Sequence, residues 1–237
     1  IVNQGPRFVA IENFVEPTRF PIDGLLRRLH YLTSRMEKLA LGVLAGEAAG
    51  RIDEVARMEV EVDRIYWLVV RQLLLAAQNR SIAAKVGVTE PRHLLGNRVV
   101  AVSLENVGDL WEEVAAEIEP VLRAHRPPPK EFSRTVASLK SKLEKIIELT
   151  MTSFFASDLK KANESLDLQA ALTGELHRLG LSAAGRRPDR RKAPSASGLL
   201  SLVLRPIEHV AKYYGTIAQL TINRGLESPL RPRPLVP

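Results

Sequence analysis

The chain has 237 residues and no cysteine, which excludes disulfide frameworks, thiolate metal sites and cysteine nucleophiles. Its composition, 45% hydrophobic and 26% charged with 5% aromatic, fits a helical protein with a sizeable core. No apolar run reaches the roughly 18 residues that span a bilayer, and the start lacks the basic-then-apolar layout of a signal peptide. These absences set the expectation of a cytoplasmic protein without membrane insertion, at most peripheral to a membrane.

In chain order, residues 1–21 read as an irregular connector in which RFVAIENF (7–14) is strand-like. Leu25, Leu29, Leu32, Met36, Leu39 and Val43 then recur at three and four, the apolar face of a first helix. Asp23 stands ahead of it as a cap, and Gly46 and Gly50 mark its end. A second helix runs from about Arg51 to Asn79 on the stripe Val55, Val62, Tyr66, Val69 and Leu73. After the short connection SIAAKVGVT, Thr89 as cap and Pro91 as an early-helix proline open a third helix, which reaches about Arg123. HRPPPKEFS breaks the chain. Three further helices follow: one through Phe132 to Phe154, one from about Asp158 to Leu181, and one from about Gly198 to Leu226, kinked or started near Pro206.

Three helices before the break and three after it suggest a duplication. RMEKLA (35–40) resembles KLEKII (142–147), and LENVGD (104–109) resembles IEHVAK (207–212) at an offset of 103. At an offset of 104, Glu59 falls on Asn163 and Asp63 on Asp167. The expected fold is all-α: a connector (1–21), two tandem three-helix bundles (22–126 and 127–226) and a Pro-rich tail (227–237).

Within the first unit, Glu59 occupies the stripe where an apolar residue belongs, and Asp63 lies four residues on, on the same side of the helix. Glu105 and Asp109 form a second pair with the same spacing on the third helix. A carboxylate facing a core costs several kcal/mol unless it is paired or binds a cation. Two such pairs on adjacent helices converge into an oxygen-rich cluster suited to a hard or borderline divalent metal. Structural ion pairs are the other reading, since Arg57, Arg64 and Arg98 lie near in sequence. Between the two acids, Gly108 weakens the helix by about 0.8–1 kcal/mol relative to Ala, which a close approach by a neighbouring helix or a ligand would explain.

EVEVDRIY (59–66) together with the run from Arg71 to Ala115, which contains LENVGD, resembles the PhoU domain of the archaeal type. VEPTRFPIDGLLRRLHYLTSRM (15–36) and DLKKAN (158–163) extend the likeness over nearly the whole chain. The resemblance implies two three-helix bundles side by side, with a divalent or iron metal held by the acidic motifs, here Glu59, Asp63, Glu105 and Asp109. It also implies non-enzymatic regulation of phosphate uptake through a transporter or a signalling protein, and a homodimer. Archaeal relatives often carry an AbrB-like DNA-binding hairpin, of which only RFVAIENF would remain here. The second unit departs from the pattern: Asn163, Asp167, Glu208 and Lys212 stand where the first has four acids. An ammonium at a ligand position supplies the positive charge itself, so a metal is expected in the first unit only.

Net charge supports a different reading. Residues 1–184 balance 24 basic against 24 acidic side chains, whereas 185–237 carry 10 against 3, the whole excess of +7. Arg186, Arg187, Arg190, Arg191 and Lys192 in the loop 185–197, with Arg231 and Arg233 in the tail, would grip nucleic acid, a ribosome or another phosphate-bearing partner. The bland account is a solvated loop and a polyproline-like tail. No catalytic motif competes: the five histidines are scattered without metal spacing, and no nucleophile elbow, phosphate loop or dinucleotide fingerprint occurs. Tyr66, Trp67, Trp111, Tyr213 and Tyr214 follow helical spacing and are expected to pack in the core or between units.

Overall fold

The computed structural model describes residues 3–5, 8–10, 19–47, 52–123, 129–184 and 196–227. Two short strands, β1 (Asn3–Gly5) and β2 (Phe8–Ala10), pair antiparallel with Gln4 opposite Val9. The stretch expected to be an irregular connector therefore contains a pair of short strands. Everything else with regular structure among the described residues is helical: α1 (Ile22–Ala45), α2 (Asp53–Gln78), α3 (Arg80–Lys85), α4 (Arg92–Arg123), α5 (Lys130–Ala156), α6 (Leu159–Ala184) and α7 (Ala196–Glu227).

The helix ends follow from local chemistry, with two corrections. Asp23 does not cap α1; Pro21 precedes it with no side-chain cap, and Asp23 sits in the first turn, accepting from Arg27 at 2.8 Å. The other end of α1 closes as expected at Gly46, whose φ of 84° is a left-handed conformation that glycine adopts without a Cβ penalty. Its neighbour Glu47 donates its N–H back to the Gly42 carbonyl. The connection after α2 contains a helix not read from sequence: the Asn79 side chain accepts from Ser81 N and Ile82 N and starts α3. Asp158 caps α6 in the same way, through Lys160 N and Lys161 N. Pro206 lies inside α7, which begins ten residues before it, so the proline does not start that helix.

α1, α2 and α4 pack on one another, as do α5, α6 and α7. The two sets are joined by α1 against α5 and α4 against α7, so one continuous apolar core runs through both. Leu29, Met36, Val62, Leu104 and Trp111 fill it on one side; Leu139, Leu143, Ile207 and Tyr214 fill it on the other. Each such side chain contributes about 1.5–3 kcal/mol by leaving water. α2 and α6 are the outer helices: among the described elements, α2 packs on α1, α3 and α4, and α6 on α5 and α7. Trp111 and Tyr214 are buried as expected, but Trp67 is not; it lies 62% exposed on the outside of α2. Its place beside the stripe residue Tyr66 reads as apolar spacing, yet one helical step of 100° carries it past the covered face.

Candidate metal centre

The site begins with the contact between α2 and α4. A Cβ on Gly108 would lie 3.2 Å from Val62 Cγ1 and 3.8 Å from Thr33 Cγ2, so α4 meets both α2 and α1 at this glycine. The expectation that Gly108 admits a neighbouring helix is met, with Val62 as the side chain that fills the space. That approach carries the carboxylates on either side of it towards each other.

Glu59, Asp63 and Asp109 come together: each offers one carboxylate oxygen, and the three oxygens lie within 4.8 Å of one another. Glu105, one turn before Asp109, stands outside this set but within its field. Partial burial, then the negative charges of Asp63, Glu112 and Asp109, raise the Glu59 carboxyl above its ordinary range. Asp109 is raised by burial, then by Asp63 and Glu112. Glu105 is raised by burial, then by Asp109 and Asp63, while Arg98 pulls it the other way. In water these groups would ionise freely; held here, each ionised neighbour makes the next harder to ionise. A cation or protons relieve the same strain.

The arginines do not neutralise the cluster. Arg57 pairs with Asp53 at 2.9 Å, and Arg98 donates to Tyr66 Oη at 2.6 Å with its guanidinium over that ring. An all-carboxylate set of this kind fits a hard or borderline divalent ion better than a thiophilic one. Glu112 was not singled out from sequence, although its place three residues after Asp109 puts it on the same helix side.

In the second unit, Lys212 Nζ binds Glu208 Oε1 at 2.6 Å, the ion pair expected from its sequence. Asn163 turns its amide to the Leu159 carbonyl at 2.8 Å. At the position of Gly108 stands Ala211, fully buried. Arg186, Arg187, Arg190, Arg191, Lys192, Arg231 and Arg233 lie outside the described residues.

A second acidic group, absent from the sequence reading of sites, sits at the seam of the units. Glu37 is 0% exposed, and neither carboxylate oxygen has a hydrogen-bond partner among the described residues. Burial, then Glu144, push it up to about 8, against the opposing pull of Lys140 and Lys38, with Glu47 adding to the rise. Lys140 is held away by Glu47 at 2.9 Å and Glu144 at 3.4 Å. His30, on the same groove of about 410 Å³, is pushed down to about 4 by burial and by Lys38 and Arg27, so it is neutral rather than a surface cation. The repeat RMEKLA/KLEKII, which aligns Glu37 with Glu144, was the available signal.

No helix among the described residues is long and apolar enough to cross a membrane. No curated protein and no solved structure matches the chain. Residues 26–118, from the first turns of α1 through most of α4, match the family model described as the PhoU domain. The unit that gathers Glu59, Asp63 and Asp109 around the Gly108 crossing is therefore the part of the chain that matches the PhoU domain.

Proposed function

We propose that this chain is a non-enzymatic regulator of phosphate uptake and its signalling, acting through protein contacts, with a divalent cation held by Glu59, Asp63 and Asp109 and Glu105 in support. The PhoU domain supports the phosphate-regulating class. The observation that carries the metal is the meeting of three carboxylates within 4.8 Å, none of them neutralised by the nearby arginines. A bound cation would supply the positive charge that offsets the crowding of these carboxylates and would tie α2 to α4. Glu105 and Glu112 then add long-range attraction, and the Val62–Gly108 contact fixes the spacing of the two helices.

Titration of Mn²⁺ into the chelator-treated full chain tests the site. One ion per chain is expected, with affinity reduced at least tenfold in Asp63→Asn. Equal binding by wild type and variant rejects the assignment. For the regulatory role, cells with and without the gene are compared for phosphate uptake; identical uptake at high and low phosphate counts against it.

A further inference from the structure

The outer face of α2 carries a ridge that neither the fold nor the metal centre uses. Val60, Trp67 and Leu74 are 46%, 62% and 61% exposed, at intervals of seven residues. Arg57, Arg64 and Arg71 alternate with them at the same interval, all exposed. From Arg57 to Leu74 the ridge is about 25 Å long at 1.5 Å per residue. Trp67 is braced edge-on against Tyr66, with ring centroids 5.1 Å apart, and Tyr66 is in turn held by Arg98. α4, antiparallel beside α2, exposes Leu95 and Val99 near the carboxyl-terminal half of the ridge. Of the three arginines only Arg57 has an ion pair among the described residues, with Asp53.

Resting on the reading of the chain as a protein-contact regulator, we propose that this ridge docks a helix of a partner protein. That helix is apolar at seven-residue intervals and carries Asp or Glu opposite Arg64 and Arg71. The seven-residue repeat of apolar and basic side chains matches the spacing by which two helices meet. A fixed, exposed tryptophan at its centre is the residue type that dominates such contacts. Charge selects the partner. A second copy of the same ridge, packed antiparallel, would set arginine against arginine. An anionic bilayer is disfavoured because a flat surface meets both flanks of a one-residue-wide row, and Glu59 and Asp63 on one flank repel headgroups, whereas a helix keeps its acids on the arginine flank. On the α1 side Glu61 is already paired with Arg28 at 2.6 Å, so a partner's acids meet arginine rather than carboxylate.

The test uses the full chain and a displayed library of helical 21-residue peptides with apolar heptads and randomised flanking positions. Acidic peptides are expected to be enriched and to shift Trp67 emission to the blue, Trp111 being already buried. Their affinity should fall at least tenfold in Trp67→Ser and in Arg64→Glu with Arg71→Glu, and the latter should instead accept lysine-flanked peptides. Circular dichroism verifies that these exposed substitutions leave the fold intact. Enrichment without acidic bias, or undiminished binding by the charge-reversed chain, overturns the proposal. So does a dimer in sedimentation that Trp67→Ser dissociates, or Trp67-dependent binding to phosphatidylglycerol vesicles instead of peptide. Asp109→Asn, a change on α4 and not on the ridge, should bind peptide as wild type, which separates failure of docking from failure of the metal reading.

Discussion

The two halves of this chain share a frame and differ in how they neutralise acids. At one end of the frame, Glu59, Asp63 and Asp109 meet in the first unit, while Glu208 in the second is answered by Lys212 one turn away. At the seam, Glu37 is fully buried without a partner, while its counterpart Glu144 is 34% exposed and paired with Lys140. In both comparisons the first unit keeps acids that its own side chains leave unanswered, whereas the second pairs Glu208 with Lys212 and Glu144 with Lys140. An unanswered carboxyl in a packed helix pair responds to protons or cations, whereas an i,i+4 pair is nearly indifferent to them. The first unit is thus the responsive half.

The largest difference should appear with pH. Glu37 is raised from 4.5 to about 8, so the folded state holds a proton that the unfolded chain releases. Its stabilising effect is complete below 4.5 and is lost as pH rises through about 8. Relative to Glu37→Gln, wild type should lose on the order of 4 kcal/mol between pH 4 and pH 9 in urea midpoints. Glu144→Gln, whose partner position reaches solvent, should change stability by less than about 1 kcal/mol. Parallel pH curves for wild type and Glu37→Gln would erase the contrast.

Packing gives the next effect. Gly108→Leu drives a side chain into Val62 and Thr33 and should cost about 1–3 kcal/mol or more. The matching change in the other half, Ala211→Gly, should cost only about 1 kcal/mol, the helix propensity of glycine. A Gly108→Leu chain as stable as wild type would show that the crossing is not held by this contact.

Asn163→Glu with Lys212→Asp rebuilds the first unit's acids around Asp167 and Glu208. Mn²⁺ titration should then rise from one ion per chain to two. A count still at one would mean that the halves differ in backbone spacing, where Ala211 replaces Gly108, and not only in side chains. The smallest effect belongs to Lys212→Ala, which removes a half-exposed ion pair and should shift stability by no more than about 0.5 kcal/mol.

Much of the fold was legible because apolar residues at three and four define the buried face of each long helix before any partner is known. The short helix α3 was hidden because six residues carry too little periodicity, and its signal was the single cap Asn79. The acid pairs were legible as i,i+4 neighbours, and Gly108 as a point of close approach. Which acids converge was not: four were expected to meet, and three do. Glu105 lies a turn away from the crossing that brings Asp109 to Asp63, and spacing along one helix does not contain the rotation of another.

The sequence by itself determined the long helices, the repeated frame, and the loss of acids in the second unit, since each depends on residues close together in the chain. The tertiary structure alone decided that α2 is an outer helix with Trp67 facing out, that Glu37 is enclosed where α1 meets α5, and that Asp109 rather than Glu105 joins Glu59 and Asp63. Periodicity says which face of a helix is buried. It does not say which helix covers that face, or what remains uncovered on the rest, because those follow from packing between segments far apart in the chain.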